Sequence, residues 1–364
     1  MKKLLIILMT SLLLVGCARG SSDNNEIPDN DTEQTKQVLT YTQEGSLYQV
    51  LIPFSQSDIR MYHGNTGRLD RLELSQRLQE MSTAYFDPAQ YYVSEGTVIT
   101  AELHNRLIKY ESLFDEGLNP RSDQVFETTG SQSVIGPVIV TDVVSMDFYS
   151  SRASDAEVTG IAIAITLNKS TTLDSGAQVE LSEETMIEWG ESAARKLVSI
   201  VRGLSGMTNV PIFVALYSLE KQDSTLPGGY VSSAFFEGRA GQFVRNKEEW
   251  LLFPSSDATS RVNQLAVEFD LYKQSLGSLI QSETTGVIGQ GRLINNEIDH
   301  LKIEINTSGK TFLEIQALTQ YAASLLERFN QFEMEITVQV KILDKVTAIV
   351  SRGRSTQEVT IVYL

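Results

Sequence analysis

The sequence predicts an α+β protein in which mostly antiparallel sheets pack against helices, built as two similar strand-helix-strand-strand units. Three observations predict it. Ile161, Ile163 and Ile165 alternate with small residues, and Met334, Ile336, Val338, Val340 and Ile342 alternate with polar ones, which is the period of a strand. Behind Ser182 and behind Thr311, apolar residues recur every three to four positions, which is the period of a helix. The order strand, helix, strand, strand then appears in both halves of the chain, and helices laid on antiparallel sheets satisfy it. The turn-rich Pro254-Ser255-Ser256-Asp257 marks the expected boundary between a domain over 38–256 and one over 257–364.

In chain order, Tyr48 to Ile52 reads as a short strand ended by Pro53. Leu72 to Tyr85 and Thr100 to Phe114 have helical spacing, and Glu116-Gly117-Leu118-Asn119-Pro120 is a strong turn. Val134 to Met146 reads as one long strand. After the Ile161 strand, Ser182 opens a helix with Glu183 and Glu184 in its first turn. Met186, Trp189, Ala193, Leu197 and Val201 form its apolar stripe, and Gly203 closes it. Strands Ile212 to Tyr217 and Tyr230 to Phe236 follow, joined through Pro227-Gly228-Gly229. In the second unit Leu301, Ile303 and Ile305 form the first strand, and Thr311 with Glu314 spells a capping box. Ile315, Leu318, Ala322, Leu325 and Phe329 make the helical stripe; strands at Met334 to Ile342, Thr347 to Val350 and Val359 to Leu364 complete the unit.

The N-terminus carries an export signal. Met1-Lys2-Lys3 precedes an apolar run from Leu4 to Val15, which ends at Gly16-Cys17. The run is too short to span a bilayer as a helix and has the length of a secretory h-region. Residues 1–16 are therefore expected to be a lipoprotein signal peptide, cut between Gly16 and Cys17. Cys17 is the single cysteine of the chain, and a lone cysteine in an exported protein calls for an explanation. A diacylglyceryl group on Cys17 supplies one, and two acyl chains give stable anchoring. The expected partners are thus the membrane and the lipoprotein-processing enzymes. Residues 17–37 are Ser, Asn, Asp and Glu rich and read as a disordered tether.

The chain has 46 acidic and 30 basic residues, a net charge of −16. That balance argues against nucleic acid as a partner. Chemistry is sparse. His63, His104 and His300 fall in no metal-binding spacing, and solvated or capping histidines are the simpler reading. Gly286-Val287-Ile288-Gly289-Gln290-Gly291-Arg292 lacks the spacing of a phosphate loop and reads as a bent strand or hairpin. Glu248 and Glu249 read as adjacent solvated charges. Tyr85, Phe86, Tyr91 and Tyr92 surround Asp87-Pro88-Ala89-Gln90; such aromatics either line a groove or pack a loop onto its domain. A hydrolase would need His63, Asp87 and Glu102 in one pocket. No cofactor and no metal site is expected.

Five short segments carry a resemblance: Arg68-Leu69-Asp70, Tyr85-Phe86-Asp87-Pro88, Glu116-Gly117-Leu118-Asn119-Pro120, Val210-Pro211-Ile212 and Leu252-Phe253-Pro254-Ser255. Their order, behind a lipobox and an acidic tether, resembles the CamS-type sex-pheromone lipoproteins of Gram-positive bacteria. The resemblance implies a lipid-anchored protein on the extracellular face of the cell membrane. It also implies that a hydrophobic peptide at the end of the signal sequence is released to act on plasmid-bearing enterococcal cells. Here that stretch is Thr10-Ser11-Leu12-Leu13-Leu14-Val15-Gly16. It implies no catalytic residue, so the body is expected to be a non-enzymatic binding or structural module, with extracellular capture of a peptide, glycan or solute as the alternative.

Overall fold

The computed structural model describes residues 37–38, 47–52, 56–59, 69–112, 116–153, 155–173, 175–220, 224–280 and 285–364. The expected signal peptide, Cys17, and the tether up to residue 36 lie outside the described residues, as do His63 and Arg68. The first half contributes β1 (Gln37–Val38), β2 (Gln49–Ile52), α1 (Arg71–Ser82), β3 (Tyr92–Glu95), α2 (Ala101–Leu107), β4 (Val125–Glu127), β5 (Ser133–Ile135), β6 (Val140–Tyr149) and β7 (Gly160–Leu167). Next come β8 (Ser170–Thr172), β9 (Gln178–Glu180), α3 (Glu183–Arg202), β10 (Ile212–Ser218), β11 (Gly229–Phe236) and β12 (Phe243–Val244). The remainder forms β13 (Glu248–Phe253), α4 (Ser256–Arg261), α5 (Asn263–Ile280), β14 (Gly286–Ile294), β15 (Glu297–Thr307), α6 (Phe312–Ser324), β16 (Glu335–Ile342), β17 (Lys345–Arg352) and β18 (Val359–Tyr363).

Two large sheets result. One has eight strands in the order β1-β2-β3-β6-β7-β10-β11-β12; the other runs β13 to β18 in sequence order, and both lie in the compact unit Thr35–Leu364. The repeated order has a matching topology. β6 and β7 pair antiparallel, α3 crosses over to make β10 parallel to β7, and β11 returns antiparallel. β14 and β15, α6, β16 and β17 repeat those three pairings. A helix between the strands is what lets a parallel pair form in an otherwise antiparallel sheet.

The caps are where the sequence puts them. Ser182 Oγ accepts from Thr185 N, Gly203 is the C-cap of α3, and the reciprocal Thr311–Glu314 box opens α6. Other expectations are corrected. The Val134–Met146 stretch is two strands, because Gly136-Pro137 interrupts it. α2 stops at Leu107 instead of Phe114, since Leu118 N bonds back to Leu107 O and folds the chain over. The change of sheet falls before β13, ahead of the expected Pro254–Asp257 boundary, because Glu248 to Phe253 pair with Ile294 to Gly289 of β14.

The first sheet is covered on both faces. α3 packs Met186, Leu197 and Val201 against Ile161, Ile163 and Ile165 of β7, while α1 packs Leu74 and Leu78 against the Ala162, Ala164 and Phe213 side. β7 is therefore buried at every position. The second sheet carries α5 and α6 on one face only, with Phe269, Tyr272, Ile315 and Leu318 over Ile303, Ile305 and Val338. Its other face carries Glu248, Gln290, Arg292, Lys302, Glu304 and Thr337 and is mostly polar. No helix among the described residues is long and apolar enough to cross a membrane.

Candidate functional site

The polar face of the second sheet meets α1, and the site is built at that seam. Asp70 caps α1 by accepting from Glu73 N at 3.0 Å. Glu73, Arg77 and Glu80 then stand four and three residues apart on one face of the helix, turned away from Leu74 and Leu78. Opposite them stand Glu248 and Trp250 of β13, Arg292 of β14 and Lys302 of β15.

The contacts are close and mostly dry. Arg77 donates from Nε and Nη2 to Glu248 Oε1 at 2.8 and 2.5 Å, and from Nη1 to Glu80 at 3.1 Å. Arg292 donates to Asp299 Oδ2 and reaches Glu73 Oε1 at 3.3 Å. Lys302 donates to Glu73 Oε2 at 2.5 Å, and its ammonium lies 4.8 Å from the Trp250 ring centroid. Arg354 pairs with the second Asp299 oxygen. Burial opposes the Arg77 charge, yet Glu248 and Glu80 outweigh it and hold its pKa above the usual value. Such a network adds little net stability over an apolar seam, but it fixes one register, because any unpaired member is costly.

Beside the network a cleft of about 450 Å³ opens between Gln76 of α1 and the sheet. Its floor presents Gln290, His300, Lys302, Glu304, Glu335, Thr337 and Gln339 from three adjacent strands. Burial, then the charges of Arg292 and Lys302, push the His300 pKa down to about 3, so it is neutral at pH 7; its Nε2 lies 3.3 Å from Thr337 Oγ1. Glu304 is paired with Lys341 at 2.5 Å. Burial and the nearby Glu80 raise the Glu335 pKa. Amides, a hydroxyl and a neutral imidazole thus line the cleft beside one ammonium, and of its two carboxylates Glu304 is already paired with a cation. This arrangement suits hydrogen bonding to a polar ligand. Glycoside hydrolysis by a carboxylate pair would need a second uncommitted carboxylate beside Glu335.

The sequence-named candidates are scattered. His300 is on the cleft floor, and His104 is buried with Nε2 2.7 Å from Asp142 Oδ1, so neither histidine is the solvated or capping group expected. Glu248 is buried at 5 % exposure and correspondingly not a solvated charge. Strand geometry sends it and Glu249 to opposite faces, and Glu249 pairs outside with Lys247 and Arg261. Asp87 caps its own turn, accepting from Ala89 N, while Glu102 lines a separate depression with Arg106 and Glu116. The aromatic cluster packs: Tyr85 stacks on Phe235 at 4.4 Å and Phe86 on Phe148 at 4.4 Å. No group of three His, Cys, Asp or Glu side chains among the described residues is arranged to hold a metal.

The segments that carried the resemblance turn out to be joints. Asn119 is buried and uses all four of its bonds, donating to Ile108 O and Val140 O and accepting from Ile139 N and Val140 N, each at 2.7–2.8 Å. Trp189 of α3 donates to Leu118 O in the same turn. Pro211 O receives the Ile161 N–H, and Ser255 caps α4. The family model described as "CamS sex pheromone cAM373 precursor" matches residues 54–358. This chain belongs to the CamS sex pheromone precursor family. Its fold is shared by a sex pheromone precursor from Lactobacillus salivarius, with 22% identity and a TM-score of 0.76, covering 90% of this chain and 98% of that one. The C-terminal domain of the sex pheromone staph-cAM373 precursor from Staphylococcus aureus is also similar, at 18% identity and TM-score 0.67, over 80% of this chain and 95% of that one. Among curated proteins no significant match is found. The joints of the CamS fold therefore explain why short, separated segments identify the family without naming a reactive group.

Proposed function

We propose that this CamS family member is a surface lipoprotein held by a diacylglyceryl group on Cys17, whose leader yields the peptide Thr10 to Gly16 and whose folded body is a non-enzymatic binding module. The observation that carries the reading is the family match over residues 54–358, since a pheromone precursor must deliver its product outside the cell. The lipobox ending at Gly16-Cys17 supports the anchor. The cleft between α1 and the second sheet supports binding, because its donors and acceptors sit on rigid strands and its charges are largely neutralised.

Each part has its own test. Mass spectrometry of the membrane fraction should find an acylated N-terminal Cys17, and Cys17→Ser should move the protein out of that fraction; an unmodified Cys17 would end the anchor reading. Synthetic TSLLLVG added to plasmid-bearing responder cells should provoke clumping or transfer, and silence would remove the peptide role. A thermal-shift screen of oligosaccharides and short peptides should raise the melting temperature through the cleft, with Gln290→Ala abolishing the shift. A shift untouched by Gln290→Ala would place binding elsewhere.

A further inference from the structure

A second pocket lies far from the seam in chemistry. Arg195, Val198, Ser199 and Arg202 occupy positions i, i+3, i+4 and i+7 of α3, so they form one stripe along its last two turns. The chain turns after Gly203 and returns past Thr208 and Asn209, and the loop after β11 brings Glu237, Gly238 and Arg239 to the same place. Together they enclose about 440 Å³.

Three guanidiniums therefore converge in a protein whose net charge is −16. Many of the other described arginines pair with carboxylates, as Arg77, Arg245, Arg261 and Arg292 do. Among the described residues Arg195, Arg202 and Arg239 have no such ion pair. Arg202 is instead locked in place by three carbonyls, donating to Thr208 O, Val210 O and Phe236 O at 2.7, 3.3 and 3.0 Å. Arg195 lies 4.6 Å over the Phe243 ring, which fixes its approach without neutralising it. Burial first, and the nearby Arg239 second, lower the Arg202 pKa. Gly238 leaves open space beside them, since a Cβ there would meet nothing.

We propose that Arg195, Arg202 and Arg239 form a binding site for a phosphoryl group. A planar carboxylate is satisfied by one arginine fork, whereas cations arriving from a helix and from a separate loop suit a tetrahedral group with three acceptor oxygens. The Ser199 and Thr208 hydroxyls and the Asn209 amide add neutral donors. Glu237 and the C-terminal dipole of α3 oppose the anion, but three positive charges face one negative. The pocket is bounded and the surrounding protein acidic, so a long polyanion is repelled beyond it. The occupant is a small phosphate ester or a single phosphorylated headgroup.

Calorimetric titration of the full chain in detergent tests this with glycerol 3-phosphate, with glycerol, and with a short-chain phosphatidylglycerol. Glycerol 3-phosphate or the phosphatidylglycerol should bind saturably and glycerol should not; whichever phosphate compound binds more tightly identifies a free ester or a lipid headgroup as the source. Affinity should rise at low ionic strength. Arg239→Gln and Arg195→Gln, both exposed and safe for folding, should each weaken binding about tenfold. Arg121→Gln, paired with Asp123 elsewhere, should change nothing. Failure of both phosphate compounds to bind at millimolar concentration, or equal binding by Arg239→Gln, would overturn the assignment.

Discussion

Arg292 and Asp299 meet because of a β-bulge. Arg292 pairs with His300 and Leu293 with Ile298, so Asp299 is the extra residue between them. Period-two alternation would send Asp299 to the apolar face with Leu301 and Ile303. The bulge turns it to the polar face instead, where its Oδ2 accepts from Arg292 Nε and Nη2 at 2.8 and 2.6 Å.

Arg292→Met therefore strips the charge from the middle of a buried network, leaving Asp299 with only the half-exposed Arg354 and Glu73 with only Lys302. The expected loss is about 3–5 kcal/mol of unfolding free energy. Urea denaturation measures it, with the exposed Arg121→Gln staying within roughly 0.5 kcal/mol of the parent.

Asn119→Ala removes two donors and two acceptors from a site with 1 % exposure. The buried partners at Ile139 N, Val140 N, Ile108 O and Val140 O lose them together, and a loss of about 3 kcal/mol is expected. Asn119→Asp keeps only the acceptors and should fare no better. The same denaturation series reads both.

Two buried groups give stability opposite slopes with pH. Burial drives the Asp147 pKa up to about 6, although the Thr97 N–H and hydroxyl bond its carboxylate at 2.7 and 2.8 Å. Its folded pKa exceeds its unfolded one, so its contribution is full below about pH 4 and is lost as pH rises through 6. His300, held down to about 3, does the reverse: its contribution is full above about pH 6.5 and is lost as pH falls toward 3.

Between pH 5 and 7 the two slopes nearly cancel in the parent protein, each being about 1–2 kcal/mol. His300→Gln should make the protein more stable at pH 5 relative to pH 7, and Asp147→Asn should make it less so. Denaturation midpoints at the two pH values decide the point; identical pH profiles for all three proteins would contradict both assignments.

Thr311→Ala removes the side chain that accepts from Glu314 N at 3.3 Å and half of a reciprocal cap. A loss of about 1 kcal/mol is expected, with Thr311→Ser close to the parent in the same thermal melts.

The elements that were legible in the sequence are those whose signals are local. The caps at Ser182 and Thr311 and the alternation from Met334 to Ile342 depend on neighbours only. α5 carried a usable stripe, Leu265, Phe269, Tyr272 and Leu276 at helical spacing, but it has no cap residue to announce it. The seam was not legible for a different reason. Glu73, Glu248 and Arg292 are spread over 219 residues between first and last, and a charge that will be buried looks the same in sequence as one that will be solvated. The one local hint was Glu248 in phase with Trp250, a carboxylate on the same strand face as a large aromatic side chain. The arginine pocket had a helical component, Arg195 and Arg202 two turns apart, yet Arg239 joins them only through the fold.

The placement of β13 has a consequence for how this protein can be cut. It falls within the expected first domain, 38–256, by chain order and in the second sheet by hydrogen bonding. A fragment starting at the turn Pro254–Asp257 would present β14 as a bare edge, with a row of unmatched amide and carbonyl groups ready to pair with another copy. Such a fragment should aggregate, whereas one starting at Lys247 brings its own shield and should stay dispersed.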